Sequence, residues 1–331
     1  MIRFPLRRLL AGVSVALAAA VALAGCAPSS SSANRTTDAA PSAGFPTSIT
    51  TAFGTTTIPS KPERVVALGW GDAEVALELG VQPIGASDWL GFGGDGVGPW
   101  LKDAYRTRPT IVGTLEPNYE QIVRLRPDVI LDVRSSGDAG RYQKLSAIAP
   151  TVAIPPKGAN YRTTSEQQVT MIAKALGREQ RGAALLASVS SAFDAARAAH
   201  PEFADTSAVI GSYSSQGFGA YATGDARVSF MKRLGFTQPR AVDQAAGNGF
   251  SVALSEENLG LLSADLTVIL PIFTSAAKAE ADPLFQRVPS VAEGHALVVD
   301  DARLADAFSI GTPAATIWAL DRLPSQFANA L

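Results

Sequence analysis

Short apolar segments alternate with amphipathic ones through the first half of the chain, and this order predicts strands separated by helices. The apolar runs 64–68 and 81–86 are typical of buried strands, and segment 72–79 between them has the spacing of a helix. A capped helix at 118–125 then leads into a strand at 129–133. Strands that alternate with helices in this way favour an α/β fold.

The second half of the chain has the same order of elements. We predict strands at 208–213 and 266–273 and helices at 228–234 and 255–262. Segments 118–129 and 255–266 share one motif: a capping residue, a glutamate two residues later, aliphatic residues on one face, and an aspartate before the next strand. One such segment occurs by chance in any α/β protein, but a matched pair indicates two lobes of similar build.

A helical region separates the two halves. A capping box at 163–166 begins one helix, and a longer helix at 178–199 ends where Pro201 interrupts it. At 1.5 Å per residue the longer helix spans roughly 30 Å, which is enough to connect two lobes. We therefore predict an α/β fold of two Rossmann-like α/β lobes, joined by a long backbone helix, with a ligand cleft between them.

The N-terminus has the features of an export signal. Arg3, Arg7 and Arg8 precede an apolar run at 9–24, which is shorter than the ~20 residues that span a bilayer. The sequence Leu-Ala-Gly-Cys that ends at Cys26 resembles a bacterial lipoprotein processing box, and Cys26 is the only cysteine. We interpret Cys26 as a lipid anchor, although an ordinary signal peptide with an incidental cysteine is the alternative. The arginine pair leaves export by the general or the twin-arginine route open.

These patterns divide the chain into five parts. The predicted parts are a lipoprotein signal peptide at 1–25, a flexible Ser/Ala/Pro tether at 26–48, an N-terminal α/β lobe at 49–177, an inter-lobe helix at 178–200 and a C-terminal α/β lobe at 201–331. The folded part is then expected to lie outside the cytoplasm, anchored by lipid to the cell membrane at its periplasmic face.

Composition narrows the function classes. The formal net charge of −2 gives no reason to expect nucleic acid as a partner. A hydrophobic fraction of 47% excludes a mainly disordered chain, and one cysteine excludes a disulfide framework. The two histidines, His200 and His295, receive structural roles, so we expect no metal ion and no cofactor of the protein's own.

The motifs of common enzymes are missing from the sequence. It contains no Gly-x-Ser-x-Gly elbow, no His-Glu-x-x-His and no candidate catalytic cysteine, so we predict a protein without enzymatic activity. The glycine-rich segment 91–98 lacks the strand-to-helix context of a phosphate loop, and we interpret it as a mobile loop at the rim of the cleft. A structural or adhesive lipoprotein is the remaining alternative, but it does not explain the matched glutamates.

Several short motifs in this order resemble the solute-binding lipoproteins of iron-siderophore, heme and cobalamin ABC importers, over about residues 49–331. The motifs are Pro-Glu-Arg-Val-Val-Ala-Leu at 62–68, Leu-Gly-Val-Gln-Pro-Ile-Gly at 79–85, Val-Gly at 112–113, Pro-Asn-Tyr-Glu at 117–120, Leu-Arg-Pro-Asp-Val-Ile at 125–130 and Leu-Ser-Glu-Glu at 254–257. The resemblance implies a monomer that captures a ferric siderophore and delivers it to an importer for iron uptake. Heme is the second candidate ligand and cobalamin the third.

Glu120 and Glu257 occupy the same place in the two matched segments. A carboxylate in the first turn of a helix also has a plain structural role, because it interacts favourably with the helix dipole. The resemblance implies that one glutamate per lobe docks onto arginines of a two-fold permease. The alignment favours Glu257 over Glu256 for this role.

Ligands of α/β sheets bind beyond the carboxyl ends of the strands, where the lobes face each other. The candidates are Trp70, Trp89, Arg134, Tyr213, Phe273 and Arg303, with Tyr221, Arg227 and Phe308 as looser ones. Aromatic rings would grip a flat chelate, and the arginines favour an anionic one. The alternative for the rings is ordinary packing between the lobes. The alternative for the arginines is a solvated surface charge. Tyr213 or Tyr221 would supply the axial oxygen if the ligand were heme.

Overall fold

The structure is a computed structural model that describes residues 44–158 and 160–331. The predicted anchor Cys26, the predicted signal peptide and most of the predicted tether lie outside these residues. The strands are β1 Thr47–Thr51, β2 Gly54–Ile58, β3 Val65–Ala67, β4 Gly85–Ala86, β5 Thr110–Ile111, β6 Val129–Leu131, β7 Thr151–Val152, β8 Ala208–Ser214, β9 Gly217–Tyr221, β10 Ser251–Leu254, β11 Leu266–Pro271 and β12 Ala296–Val298.

Helices connect these strands and cover the sheets. The α-helices are α1 Asp72–Glu78, α2 Tyr119–Leu125, α3 Ala139–Ser146, α4 Ser165–Ala175, α5 Glu179–Ala199, α6 Ala226–Leu234, α7 Arg240–Ala246, α8 Ala276–Glu280, α9 Pro289–Ala292, α10 Ala302–Ile310, α11 Pro313–Leu320 and α12 Leu323–Asn329. Short 3₁₀ helices are Pro99–Leu101, Pro201–Phe203, Glu256–Leu262 and Phe285–Arg287. Within the described residues no helix combines the length and the apolar character that crossing a membrane requires.

The N-terminal lobe is built on a sheet of five parallel strands in the order β5-β4-β3-β6-β7. Val65 and Ala67 of β3 pack into one apolar cluster, whereas Val66 between them packs into another. Successive side chains of a strand point to opposite faces, so the sheet is covered on both sides. This explains why β3 is a continuous apolar run rather than an alternating one.

The C-terminal lobe has a mixed sheet in the order β10-β9-β8-β11-β12. Strands β8, β11 and β12 are parallel, but β9 runs antiparallel to both of its neighbours. A tight turn makes this possible, because Ser214 pairs directly with Gly217, whose φ is 93°. The sequence analysis predicted β8 but no returning strand, so the two lobes are less alike than the repeat suggested.

Helix α5 joins the two lobes. Leu185 and Leu186 pack against the N-terminal core, and one turn later Val189 and Phe193 are buried in the C-terminal core. One helix therefore contributes to both hydrophobic cores. The predicted fold class, two α/β lobes joined by a long helix, is confirmed.

Candidate functional site

Three aromatic rings of the N-terminal lobe form a wall beyond the carboxyl ends of β3 and β4. Trp70 and Trp89 stack with their ring centroids 6.2 Å apart and their planes at 22°. Tyr161 packs edge-on against Trp89 at 5.4 Å. The Trp89 indole donates a hydrogen bond to the Leu68 carbonyl, 2.9 Å away, and this bond fixes the ring at the end of the strand. All three rings are half-buried, so part of each faces solvent.

Arg134 lies behind this aromatic wall, where β6 ends. Its guanidinium carbon is 4.7 Å from the centroid of the Trp70 ring. The side chain is only 4% exposed and donates hydrogen bonds to two carbonyls, that of Tyr161 and that of Ile310 in the C-terminal lobe. Burial lowers the pKa of Arg134 to about 10, so the group stays charged at neutral pH. The buried Arg134 side chain is therefore hydrogen-bonded to both lobes.

Phe273 and Tyr213 mark the carboxyl ends of the strands in the C-terminal lobe. Phe273 follows β11, adopts a positive φ of 52° and has a fully exposed ring. Tyr213 is half-buried on the ring of Phe218, and its hydroxyl is 3.5 Å from a carboxylate oxygen of Asp282. Neither ring stacks on the aromatic wall of the other lobe. The exposed Phe273 ring is therefore free to contact another molecule.

Arg303 is the predicted cation that reaches across from the C-terminal lobe. Its guanidinium carbon is 5.3 Å from the centroid of Phe92, a residue of the glycine-rich segment in the other lobe. The same guanidinium lies 3.4 Å from Asp306, and the Arg303 side chain is 50% exposed. The glycine-rich segment therefore takes part in the contact between the lobes.

The three looser candidates belong to the interior of the C-terminal lobe. Phe308 is 1% exposed and packs edge-on against Phe230. Arg227 forms a buried ion pair with Asp225 at 2.7 Å and lies 3.4 Å over the ring of Tyr221. Phe308 turns inward because it lies on the buried face of the amphipathic helix α10. Phe308 also lines a small cavity that Arg134 and Thr163 of the N-terminal lobe help to form, so a role of these residues in ligand binding stays a prediction.

The two matched glutamates are exposed at equivalent edges of the two sheets. Glu120 is in the first turn of α2, where the Asn118 side chain accepts a hydrogen bond from the Gln121 amide at 3.0 Å. Glu257 is in the 3₁₀ helix that follows β10. Each segment leads back to the start of the next parallel strand, so its N-terminus lies at the carboxyl edge of the sheet. Glu256, next to Glu257, lies 3.8 Å from Arg287.

A family model described as periplasmic binding protein matches residues 65–302. The chain belongs to the periplasmic binding protein family. The resemblance expected from the sequence motifs is thus confirmed at the level of the family. The matched range includes both five-stranded sheets and the connecting helix of this binding protein.

Individual relatives extend the likeness over most of the binding protein. The Fe(3+)-citrate-binding protein YfmC of Bacillus subtilis is 29% identical over 305 residues, which cover 88% of this chain and 90% of YfmC. The crystal structure of PiaA from Streptococcus pneumoniae TIGR4 in complex with ferrichrome has a TM-score of 0.75 at 25% identity and covers 86% of this chain and 98% of PiaA. A periplasmic solute binding protein from Mycobacterium smegmatis has a TM-score of 0.74 at 27% identity, with the same coverage.

The sequence analysis missed Tyr161 of the aromatic wall and its neighbour Arg162. Tyr161 and Arg162 follow β7 only after a long loop, so no strand end marks them. Arg162 donates hydrogen bonds across the lobes to the carbonyls of Thr223, at 2.9 Å, and Asn248, at 3.3 Å. The sequence feature that could have indicated them is the Tyr-Arg pair immediately before the capping box of α4.

Two acids of helix α1 also connect the lobes of the binding protein. The Glu74 carboxylate accepts hydrogen bonds from the Trp100 indole at 2.9 Å and from the hydroxyl of Thr312 in the other lobe. Burial raises the pKa of Glu74. Burial, with the nearby Glu74 second, also raises the pKa of Glu78 to about 8. Helix α1 thus places two carboxyl groups at the N-terminus of α11.

Among the described residues no three histidine, cysteine, aspartate or glutamate side chains are arranged to hold a metal ion. His200 lies 2.8 Å from Glu202 and stacks on the ring of Phe203, with centroids 4.8 Å apart. Its imidazole is therefore engaged at the end of α5.

Proposed function

We propose that this binding protein captures a ferric siderophore outside the cytoplasm and delivers it to an ABC importer for iron uptake. The aromatic wall of Trp70, Trp89 and Tyr161 is the observation that carries the proposal. Partly exposed, stacked rings beside the junction of the lobes suit a large, partly apolar chelate, because such rings bury much area in a fixed geometry. The names of YfmC and of the PiaA complex, a ferric-citrate binder and a ferrichrome complex, support the ligand class.

Heme and cobalamin remain the alternatives from the sequence, but no contact favours them. The Tyr221 ring is buried beneath Arg227, and the Tyr213 hydroxyl faces Asp282. Tyr221 is only 5% exposed, which disfavours it as a heme ligand, whereas the partly exposed Tyr213 keeps heme as the alternative.

Fluorescence titration of the mature protein tests the ligand class. We expect ferric siderophores to quench tryptophan emission in a saturable way, because Trp70 and Trp89 lie in the wall. Hemin serves as the second titrant, followed in the visible spectrum. A shifted Soret band, together with no quenching by any ferric siderophore, would reject the proposal in favour of heme.

We further propose that Cys26 carries the lipid anchor, after removal of residues 1–25, and that residues 26–48 tether the lobes to the membrane. The position of the only cysteine at the end of an apolar run supports this. We expect Cys26→Ser to abolish labelling by radioactive palmitate and to release the protein from the membrane. Labelling of the serine variant at the level of the parent protein would contradict the anchor.

The docking proposal assigns Glu120 and Glu257 to contacts with arginines of a two-fold permease. Their exposure and their equivalent positions at the carboxyl edges of the two sheets support it. Exposed charges of this kind steer and register an encounter more than they add affinity.

A further inference from the structure

The arginines near the junction of the lobes determine how much negative charge a ligand can bring. Arg227 is unavailable, because its guanidinium pairs with Asp225 through two hydrogen bonds of 2.8 and 2.7 Å. Both side chains are almost fully buried, at 7% and 6% exposure. A two-pronged pair of this kind is electrically neutral. The remaining guanidinium nitrogen donates to the Ser309 hydroxyl at 3.3 Å, so all three nitrogens of Arg227 have partners inside the protein.

Two further arginines are engaged by the protein backbone. Arg134 donates to the carbonyls of Tyr161 and Ile310, and Arg162 donates to those of Thr223 and Asn248. Arg134 also has acids nearby, since Asp225 and Asp72 both act on its charge. Part of the donor capacity of each guanidinium is therefore used by the protein, and Arg134 is almost fully buried.

Arg303 is the third of the arginines that the sequence predicted at the cleft, and its charge is partly compensated. Asp306 lies 3.4 Å away, and Asp301 caps the same helix, α10. Exposed lysines on neighbouring loops, such as Lys157, are hydrated point charges, which attract an anion at a distance but bind it weakly in contact with water.

The apolar surface, in contrast, is preformed. The stacked rings of Trp70 and Trp89 and the edge-on ring of Tyr161 are already in place, and the exposed Phe273 ring extends from the other lobe. An anion that leaves water for an aromatic surface loses its hydration, and this loss is compensated only where a cation pairs with it. A chelate of low charge avoids that loss and still buries its apolar groups.

We infer that the site takes a ferric chelate of low net charge, of the neutral trihydroxamate class, in preference to a trianionic chelate such as a ferric tris-catecholate. The inference rests on the proposed function and reverses the expectation of an anionic chelate, because the arginines behind that expectation are paired or bonded to carbonyls. The relatives do not decide the matter, since YfmC is named for ferric citrate and PiaA was crystallised with ferrichrome.

Parallel titrations of the mature protein with ferrichrome, a neutral trihydroxamate, and with ferric enterobactin, a trianionic tris-catecholate, test the inference. We expect ferrichrome to bind at least tenfold more tightly, with a Kd that changes less than about twofold between 50 and 500 mM NaCl. Tighter binding of ferric enterobactin, with a Kd that weakens as salt is added, would overturn the inference and leave the proposed function intact. Binding of neither chelate, nor of ferric citrate, would overturn both.

Two variants test whether apolar contact or positive charge contributes more to binding of the chelate. We expect Phe273→Ala to weaken the binding of ferrichrome at least fivefold, whereas Arg303→Ala changes it less than threefold. Both side chains are at least half exposed, so both variants should fold, and a thermal melt checks this. Val123→Ala, at an exposed apolar residue of α2, is the matched control and should leave binding unchanged. A larger loss from Arg303→Ala than from Phe273→Ala would contradict the inference.

Discussion

The two matched segments of the lobes fold differently despite their common motif. In the N-terminal lobe the segment is the α-helix α2, capped by Asn118, with Val123 53% exposed on its surface. In the C-terminal lobe it is the 3₁₀ helix Glu256–Leu262, and Gly260 stands where Val123 stands in the motif. Glycine costs roughly 1 kcal/mol in a helix interior relative to alanine, which weakens α-helix formation there. The motif thus places a glutamate at the same edge of each lobe but does not determine the surface around it.

The sheets differ in a related way. The N-terminal sheet is parallel throughout, whereas the C-terminal sheet contains the tight β8–β9 hairpin. Close packing at Gly211 of β8 depends on this hairpin, because a Cβ atom there would lie 2.8 Å from the Gly219 carbonyl oxygen of β9. The lobes are therefore related in architecture, but each has its own packing constraints.

Loss of both docking glutamates should have the largest effect. If the two lobes share the docking role, the Glu120→Ala/Glu257→Ala variant should lower siderophore uptake by cells about 100-fold or more. The Kd of the purified protein for ligand should stay within twofold, since both side chains are exposed. Uptake of radioactive iron and fluorescence titration measure the two quantities.

Glu166 and Glu179 provide the matched control, because both are exposed and lie in the first turns of other helices. Their double alanine variant removes the same favourable interaction with helix dipoles and should leave uptake unchanged. An equal loss of uptake in the two double variants would indicate that Glu120 and Glu257 have only a structural role.

A methyl group in β8 tests the hairpin that distinguishes the lobes. We expect Gly211→Ala to lower the free energy of unfolding by about 2 kcal/mol, because the new Cβ meets the Gly219 carbonyl and the side chains of Leu262 and Ile269. Urea denaturation measures the change. Gly260→Ala is the control, since no atom lies within 4 Å of its added Cβ and it should be neutral or slightly stabilising. Comparable destabilisation by both changes would show that packing around β8 is not the cause.

The acids of α1 predict a pH dependence at the junction of the lobes. Glu78 has a folded pKa of about 8 against 4.5 ordinarily, so between these values the folded protein holds a proton that the unfolded chain releases. Stability should therefore fall as pH rises through this window. Glu78→Gln should remove part of the fall and raise the free energy of unfolding at pH 9 by about 1–2 kcal/mol, with little change at pH 4.5. Denaturation curves at several pH values check this.

The exposed glutamate of α5 serves as the control for this prediction. Glu179→Gln removes an exposed carboxylate and should not raise the free energy of unfolding at pH 9. A parallel displacement of the Glu78→Gln curve at all pH values would mean that the substitution acts through packing rather than through protonation.

The smallest expected effect on uptake concerns the surface beside each of the two glutamates. Val123→Ser should lower uptake about threefold, because it removes apolar area beside Glu120, while Gly260→Ser at the equivalent position should have no effect. Both changes are made at the surface and should alter stability by less than about 0.5 kcal/mol. Equal effects on uptake would indicate that the two lobes dock through equivalent surfaces.

The sequence predicted the elements that follow from burial and strand order. Trp70 and Trp89 were predicted to lie together because each comes soon after a short buried strand, and parallel strands end at one edge of a sheet. Their rings do stack, while their role in ligand binding stays a prediction. Strand β9 was missed because Gly217 and Gly219 interrupt its alternating pattern. The burial of Phe308, a looser ligand candidate, was not foreseen because strand order does not show which way a helical side chain turns. Tyr161 was missed because its place depends on the folding of a loop rather than on a periodic pattern.

The contact of Glu74 with Thr312 joins residues 238 positions apart in the chain. While the chain is being synthesised, helix α1 is complete long before α11 exists. During that interval nothing from the C-terminal lobe covers Glu74 and Glu78, and the two carboxyl groups remain hydrated and ionised. The contact between α1 and α11 can therefore form only after the contacts that Arg162 makes with Thr223 and Asn248 have become possible.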